Sequence, residues 1–146
     1  MKLKIKRIDK TLPLPEYQTK GAVAFDLYAR VETVIPPFKP TLIPLNIIVK
    51  VPTGYFFMLA SRSSTPMKKG LMVSNGIGVI DQDYSGDTDE VMLLALNFTE
   101  KNVTVEKGER IAQGLLIKIS QVEKFVEVNK MDEKSRGGFG TTNRKS

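Results

Sequence analysis

The chain has 146 residues, a formal net charge of +6 at pH 7, and neither cysteine nor histidine. The two absences exclude disulfide scaffolds, zinc sites built on Cys or His, thiol nucleophiles and every triad with a histidine base. Proton transfer or water orientation must then depend on Asp, Glu, Lys or Tyr, and any metal site must be lined by oxygen atoms. The composition favours phosphate chemistry, because Mg²⁺ suits oxygen ligands and often bridges substrate phosphates.

The remaining composition is that of one globular domain, with 41% apolar and 26% charged residues. No apolar run approaches the ~18 residues that a membrane span needs, and the N-terminus lacks the pattern of a signal peptide. We therefore predict a cytoplasmic protein without a membrane partner. Basic residues cluster in ranges 1–10 and 130–146. Such termini are more often solvated than bound to polyanions, so nucleic acid is not an expected partner.

Short strands separated by turn residues are predicted along the first half of the chain. Three prolines within residues 34–41 oppose a helix there. Residues 41–51 are rich in β-branched side chains and predict a strand. A turn at Pro52-Thr53-Gly54 then leads to a second apolar strand over 55–60.

A single short helix is predicted over residues 65–70. The hydroxyl of Thr65 can cap it, a proline stands at the first helical position, and a glycine ends it. Two further strands are predicted over 90–98 and 110–119. This spacing of short strands predicts an all-β chain, an antiparallel barrel or a jelly-roll-like sandwich with at most one short helix.

The chain is predicted to form a barrel domain over residues 1–134, followed by a flexible arm over 135–146. The arm is rich in glycine and basic residues, so it cannot build a core of its own. No internal repeat or interdomain linker separates the barrel into parts.

Four segments carry residue types suited to chemistry, and each also has a plainer interpretation. Arg62-Ser63-Ser64 precedes the helix and gathers donors for an anion, or it is a capped helix with an incidental arginine. The segment from Asn75 to Gly86 brings Asp81 to the end of a strand between glycines, and the Asn75 amide could read a base edge. The alternative is a hairpin with polar turn residues.

The other two segments lie nearer the C-terminus. Gln113 stands in a strand of apolar residues, where it needs a partner if buried or else faces outward. Phe139 is flanked by glycines, with Arg136 before it and hydroxyls after it. That pattern suits a flap that stacks on a base and meets phosphates, or it is a disordered tail.

The order of these segments resembles the five motifs of the dUTPase family, spanning Ala22 to Thr142. The motifs are Ala24-Phe25-Asp26-Leu27-Tyr28-Ala29, Arg62-Ser63-Ser64, the block from Asn75 to Gly86, Gly108-Glu109-Arg110-Ile111-Ala112-Gln113, and Gly137-Gly138-Phe139-Gly140-Thr141-Thr142. The resemblance implies a distorted jelly-roll β-barrel, a homotrimer with active sites shared between subunits, and Mg²⁺-dependent cleavage of dUTP to dUMP and pyrophosphate.

The resemblance also implies residue roles at the nucleoside. Asp81 holds the water that attacks the α-phosphorus, and Tyr84 packs under the deoxyribose, where a 2′-hydroxyl would clash. Asn75 reads uracil together with the neighbouring hairpin backbone at Val79 and Ile80.

At the phosphates, the resemblance assigns binding to Ser63 with Arg62 and Ser64, beside Gln113. It assigns Asp26 to the outer shell of the metal, through water.

In the arm, Phe139 is expected to stack on uracil, and Gly140, Thr141 and Thr142 to follow the phosphates. The family usually places an arginine five residues before this phenylalanine, where the chain has Lys134. Either Arg136 reaches the γ-phosphate, which we favour, or Lys134 substitutes without a bidentate fork.

Two further points concern the limits of the resemblance. A dCTP deaminase, or a bifunctional dCTP deaminase and dUTPase of the same fold, is the alternative function. That family uses a glutamate on the strand where this chain has Leu94-Ala95-Leu96-Asn97, so deamination is disfavoured. Ala24 replaces a common glycine, and the acidic run Asp87-Thr88-Asp89-Glu90 is interpreted as a solvated turn rather than a metal site.

Overall fold

The computed structural model describes residues 1–139 and contains one helix and eleven strands within them. The elements in chain order are β1 (Lys4–Arg7), β2 (Phe25–Tyr28), β3 (Thr33–Ile35), β4 (Thr41–Pro44), β5 (Ile47–Lys50), β6 (Tyr55–Ser61), α1 (Thr65–Lys69), β7 (Leu71–Val73), β8 (Gly78–Ile80), β9 (Met92–Asn97), β10 (Val103–Val105) and β11 (Arg110–Lys118). The predicted all-β class with one short helix is confirmed.

Local details differ from the sequence predictions at two points. The predicted strand over 41–51 is divided into β4 and β5 by Asn46, which has a φ of 67° and so cannot continue an extended strand. The N-cap of α1 is Ser64 rather than Thr65, and its side chain makes no capping hydrogen bond. The helix ends as predicted at Gly70, whose φ of 64° is a left-handed conformation that glycine adopts without steric cost.

The strands form four antiparallel sheets, and one of them carries four of the predicted site residues, Asp26, Val79, Ile80 and Gln113. Its order is β2-β11-β6-β8, with β11 paired to β2 on one side and to β6 on the other. The other sheets are β4-β9-β7, β1-β5 and β10-β3.

Alternating apolar residues of these sheets meet in one core. Phe57 and Leu59 of β6 and Leu27 of β2 are almost completely buried, and the Phe25 and Phe57 rings stack with centroids 5.9 Å apart. The core leaves no room at Gly114 of β11, where a Cβ atom would overlap the Phe57 ring.

The chain after the last strand has little contact with this core. Residues 120–137 are exposed throughout, and they include large apolar side chains such as Phe125, which is 88% exposed. The predicted domain boundary at residue 134 stays a prediction. Within residues 1–139, no helix has the length and apolarity to cross a membrane.

Gly114→Ala is expected to destabilise the fold by about 1–3 kcal/mol, because the added methyl group must displace the Phe57 ring from a close-packed core. Gly21→Ala is the matched control, since a Cβ at Gly21 meets nothing within 4 Å. Thermal unfolding of the two variants checks this expectation. Equal midpoints for both would contradict the packing argument.

Candidate active site

Strand β11 brings residues of the first and the fourth sequence motif side by side on one sheet. Gln113 lies opposite Asp26 of β2 on one side and opposite Ala60 of β6 on the other. Directly opposed residues of antiparallel strands point to the same face of the sheet, so Asp26 and Gln113 share a face. The Gln113 side chain is half-buried and donates from Nε2 to the Ser61 carbonyl oxygen at 2.9 Å. It therefore has the partner that a buried amide requires.

Asp26 is the centre of a charged cluster at this position. Its side chain is only 8% exposed, and its Oδ1 accepts a hydrogen bond from Arg62 Nε at 3.0 Å. Its Oδ2 lies 3.2 Å from Arg110 Nη1, so each carboxylate oxygen has a guanidinium partner. Arg62 also donates from Nη1 to the Arg110 carbonyl oxygen at 3.3 Å. The Arg62 guanidinium is thereby held in one orientation while its side chain keeps 29% exposure.

The hydroxyl residues Ser63 and Ser64 follow Arg62 at the start of α1. Ser63 is exposed and Ser64 is half-buried, and the Ser64 carbonyl accepts the Lys68 N–H at 2.9 Å. The first turn contains no acidic residue. A fixed guanidinium beside two hydroxyls is suited to binding an anion such as a phosphate. Arg62 has a defined contact with Asp26, and its role in binding an anion stays a prediction.

A second group of predicted residues lines a cavity of about 360 Å³ around β8. Asn75 lies in the turn between β7 and β8, Asp81 follows β8 directly, and Tyr84 lies in the next loop. Val79 and Ile80 of β8 line the same cavity. The structure thus brings an amide, a carboxylate and an aromatic ring to one concave surface with apolar walls.

Asp81 is exposed and borders a second cavity of about 410 Å³, lined also by Gln82, Asp83 and Gln121. Asp81 is therefore also accessible to water from a cavity that Asn75 does not line. A carboxylate in this setting can orient a water molecule and accept its proton.

The acidic run after Tyr84 forms the solvated turn predicted from the sequence only in part. Asp87 and Thr88 are exposed, but Glu90 is buried and its carboxylate makes two hydrogen bonds with Arg30, from Nε at 2.8 Å and from Nη2 at 2.9 Å. The prediction was wrong for Glu90, because an arginine sixty positions away in sequence neutralises its buried charge.

The sequence analysis predicted no role for three residues that hold the site or the loop beside it. Arg110 belongs to the fourth motif, but no role was predicted for it. No contact between Arg30 and Glu90 was predicted. The signal that could have found Arg110 is the register of β11 against β2, which brings its side chain to Asp26. No local pattern in the sequence pairs Arg30 with Glu90.

The structure describes the predicted arm only in part. Lys134 and Arg136 are exposed, and Phe139 has a φ of 48° with a fully exposed side chain. Within the described part of the chain, these three residues neither line the cavity of Asn75, Asp81 and Tyr84 nor bond to the cluster around Asp26. Gly140, Thr141 and Thr142 lie outside the described residues.

Comparison with known proteins shows which family the chain resembles. The dUTPase family matches residues 10–143 of the chain. The deoxyuridine 5′-triphosphate nucleotidohydrolase of Helicobacter pylori (strain J99) is 38% identical over 144 residues, covering 97% of each chain. The corresponding protein of Hydrogenobaculum sp. is 38% identical over 148 residues, covering 99% of this chain and 100% of that one.

Solved dUTPase structures have the same fold. The crystal structure of dUTPase from Streptococcus mutans has a TM-score of 0.75 and 29% sequence identity, and it covers 82% of this chain and 98% of that chain. Staphylococcus bacteriophage 80alpha dUTPase with dUPNHPP has a TM-score of 0.83 and 24% identity, covering 95% and 96% respectively. These likenesses confirm the jelly-roll type of fold and the dUTP nucleotidohydrolase activity expected from the sequence, and the chain belongs to the dUTPase family.

Proposed function

We propose that the chain cleaves dUTP to dUMP and pyrophosphate, with Asp81 orienting the attacking water. The observation that carries this assignment is the shared cavity of Asp81, Asn75 and Tyr84, which suits a nucleoside next to a water-orienting carboxylate. The water oxygen forms a bond to the α-phosphorus as the bond to the bridging oxygen of the β-phosphate breaks. Asp81 takes the proton of the water, and pyrophosphate leaves with the electron pair of the broken bond.

The proposed nucleoside contacts follow from the walls of this cavity. The Asn75 amide offers a donor and an acceptor, and the backbone of Val79 and Ile80 lies beside it for the polar edge of uracil. Tyr84 directs its hydroxyl to the Glu90 carbonyl oxygen at 3.1 Å, so its ring rather than its hydroxyl faces the sugar. A ring face packed under the deoxyribose leaves no space for a 2′-hydroxyl.

The proposed phosphate contacts come from the cluster on β2, β11 and the end of β6. Arg62 supplies an oriented positive charge, and Ser63 and Ser64 supply hydroxyls, with Gln113 beside them. Oriented donors of this kind stabilise the negative charge that develops as the phosphorus–oxygen bond breaks.

Within one chain, these phosphate residues are too far from Asp81 to serve it. Ile80, the residue before Asp81, pairs with Phe57 of β6. Arg62 lies five residues after Phe57, which is about 17 Å at the rise of an extended strand. Arg62 also points towards Asp26 on β2, and β2 and β8 are opposite edges of the sheet. A triphosphate bound at Asp81 must therefore meet the phosphate residues of another copy, which supports active sites shared between subunits.

The outer face of the β4-β9-β7 sheet gives a second copy a surface to cover. Met72 of β7 pairs with Leu96 of β9, and Leu42 of β4 pairs with Leu94 of β9. Leu42 is 53% and Met72 is 44% exposed, so apolar side chains cover the side of this sheet that faces away from the core. Leu42 and Leu94 also line the Asp81 cavity. A homotrimer that buries this face would seal one wall of each active site.

Mg²⁺ is the cofactor we propose, bound mainly through the phosphates of the substrate and water. Among residues 1–139, no group of three or more acidic side chains could hold a metal ion by itself. This fits Mg²⁺, which commonly keeps several waters and binds through few carboxylates together with substrate phosphates. The ion would neutralise phosphate charge. Asp26 would take part through water, because each of its oxygens accepts one hydrogen bond from an arginine and keeps a second lone pair for a metal-bound water.

The arm over residues 135–146 is proposed to close over the bound nucleotide. Phe139 would stack on uracil, and Gly140, Thr141 and Thr142 would follow the phosphates. Arg136 is our choice for the γ-phosphate, because its guanidinium can make two parallel hydrogen bonds and the ammonium of Lys134 cannot. The cytoplasmic location stays a prediction from the sequence.

Deamination of dCTP remains the alternative activity, and one observation opposes it. The strand after the Asp81 loop is β9, on which Leu94 lines the cavity where a deaminase would need a carboxylate.

Asp81→Asn is expected to lower kcat for dUTP by about 10²- to 10⁴-fold with little change in affinity, because an amide cannot take the proton of the water. Release of pyrophosphate with Mg²⁺ and binding of a non-hydrolysable dUTP analogue measure the two effects. Glu100→Gln is the control, since Glu100 is exposed and lines neither of the two cavities that Asp81 borders. Full turnover in Asp81→Asn would remove the proposed role.

The same assay with dTTP, dCTP and UTP tests specificity, and dCTP cleavage at the dUTP rate would contradict it.

Asp26→Asn is expected to lower the free energy of unfolding by about 1–3 kcal/mol. This is less than the cost of breaking a fully buried ion pair, because the Arg62 and Arg110 side chains are partly exposed. It should also reduce kcat/KM for dUTP about tenfold or more, since Arg62 loses its fixed orientation. Asp87→Asn, which removes an ion pair at the surface, is the control. Unfolding curves and initial rates provide the test, and values equal to those of the control would count against the cluster.

Deletion of residues 135–146 is expected to lower kcat/KM for dUTP about ten- to a hundredfold, mainly through the lost stacking of Phe139. The size of the assembly, measured by light scattering, should not change, because the deletion leaves the strands intact. Comparison of Arg136→Ala with Lys134→Ala identifies the cation at the γ-phosphate. We expect the larger loss in Arg136→Ala, and the reverse order would reassign the contact to Lys134.

A further inference from the structure

Arg30 and Glu90 form an ion pair in the interior, next to the loop that carries Tyr84. Arg30 follows β2, and Glu90 lies two residues before β9. The side chains are 30% and 11% exposed, and two hydrogen bonds of 2.8 and 2.9 Å join them. The Asn46 N–H donates to Glu90 Oε1 at 2.9 Å, so a third chain segment holds the same carboxylate. The hydrogen bond to Glu90 raises the pKa of Arg30.

The backbone of Glu90 is what holds the ring of Tyr84. The Tyr84 hydroxyl donates to the Glu90 carbonyl oxygen at 3.1 Å, while the ring stays 42% exposed at the cavity. One residue therefore fixes the loop through its carboxylate and the aromatic ring through its carbonyl. Movement of the Glu90 peptide would tilt the ring that forms a wall of the cavity.

The lysine contacts of this loop are made at the surface. Lys50 Nζ donates to the Gln82 carbonyl oxygen and to Ser85 Oγ, at 3.3 and 3.2 Å. Lys6 Nζ lies 2.7 Å from Asp87 Oδ1, and the Asp87 side chain is 93% exposed. Exposed contacts of this kind are weakened by solvent and by the mobility of lysine side chains. The Arg30–Glu90 pair is the stiffer attachment and the one directly linked to Tyr84.

We propose that Arg30 and Glu90 are positioning residues that set the preference of the enzyme for deoxyribose over ribose. The proposal rests on the role of Tyr84 under the sugar that is proposed above. The Tyr84 ring can exclude a 2′-hydroxyl by steric clash only if the ring does not move when a ribose binds. Glu90, held by the Arg30 guanidinium and by the Asn46 N–H, prevents the Tyr84 ring from moving away. Neither Arg30 nor Glu90 lines the cavity, so both act through Tyr84.

The test compares kcat/KM for dUTP and UTP on the same preparation of each variant, with Mg²⁺. Glu90→Gln keeps an acceptor for the Asn46 N–H but loses the charge, and Arg30→Lys keeps the charge but loses the two-point contact. We expect the ratio of dUTP to UTP to fall about three- to tenfold in both, as for the loss of one or two hydrogen bonds. A loss of folded enzyme cancels in this ratio, so a purely structural role would not change it.

Lys6→Met is the matched control, because it removes an ion pair to the same loop without touching Glu90 or Tyr84. Its ratio should equal that of the unchanged enzyme. Tyr84→Phe removes the hydroxyl that binds the Glu90 carbonyl. If the pair acts through this bond, Glu90→Gln will have little further effect on the ratio in a Tyr84→Phe background.

Each other result overturns a defined claim. An unchanged ratio in Glu90→Gln and Arg30→Lys, or an equal fall in Lys6→Met, would show that the pair does not set the preference. Full additivity of Glu90→Gln and Tyr84→Phe would show that any effect bypasses the hydroxyl. Equal cleavage of dUTP and UTP by the unchanged enzyme would instead remove the proposed role of Tyr84 itself.

Discussion

The candidate site depends on the pairing of β11 with β2 and β6. Because β11 lies between these strands, Gln113 has Asp26 on one side and the end of β6 on the other. A shift of one residue in this register would turn Gln113 to the opposite face and separate Arg110 from Asp26. Gly114 secures the register, since the Phe57 ring occupies the space that any other residue would need there. The packing of one aromatic ring against a glycine thus keeps two arginines and a carboxylate together.

Contacts between residues close together in the sequence could be predicted, and contacts between distant residues could not. Asn75, Asp81 and Tyr84 lie within ten residues, so their common cavity was predictable from one segment. The Arg62–Asp26 contact joins residues 36 positions apart and needed the sheet order. Glu90 was misread because acidic runs are usually solvated, and its partner Arg30 is remote in sequence. The class of fold was predictable because turn residues mark the strand ends, but the break at Asn46 depended on a backbone angle.

The run from Val91 to Leu96 consists of apolar residues only. A strand with one solvated face alternates between apolar and polar residues, whereas every residue of this run is apolar. In the structure, Leu93 and Ala95 face the core, and Met92, Leu94 and Leu96 face outward. The non-alternating pattern therefore indicates a sheet that is covered on both sides. A second copy of the chain could provide the outer cover, and the distance between Asp81 and Arg62 within one copy also calls for a second copy.

The exposed segment over residues 120–137 has a consequence for the life of the chain in a cell. It joins the barrel to the predicted arm without strand pairing or burial, and its apolar side chains include Val122, Phe125, Val126 and Met131. Extended, unprotected backbone is the form that proteases cut, and exposed apolar segments are what chaperones bind. A newly made single copy would therefore be open to degradation at this segment, and its abundance would depend on how quickly the segment is covered.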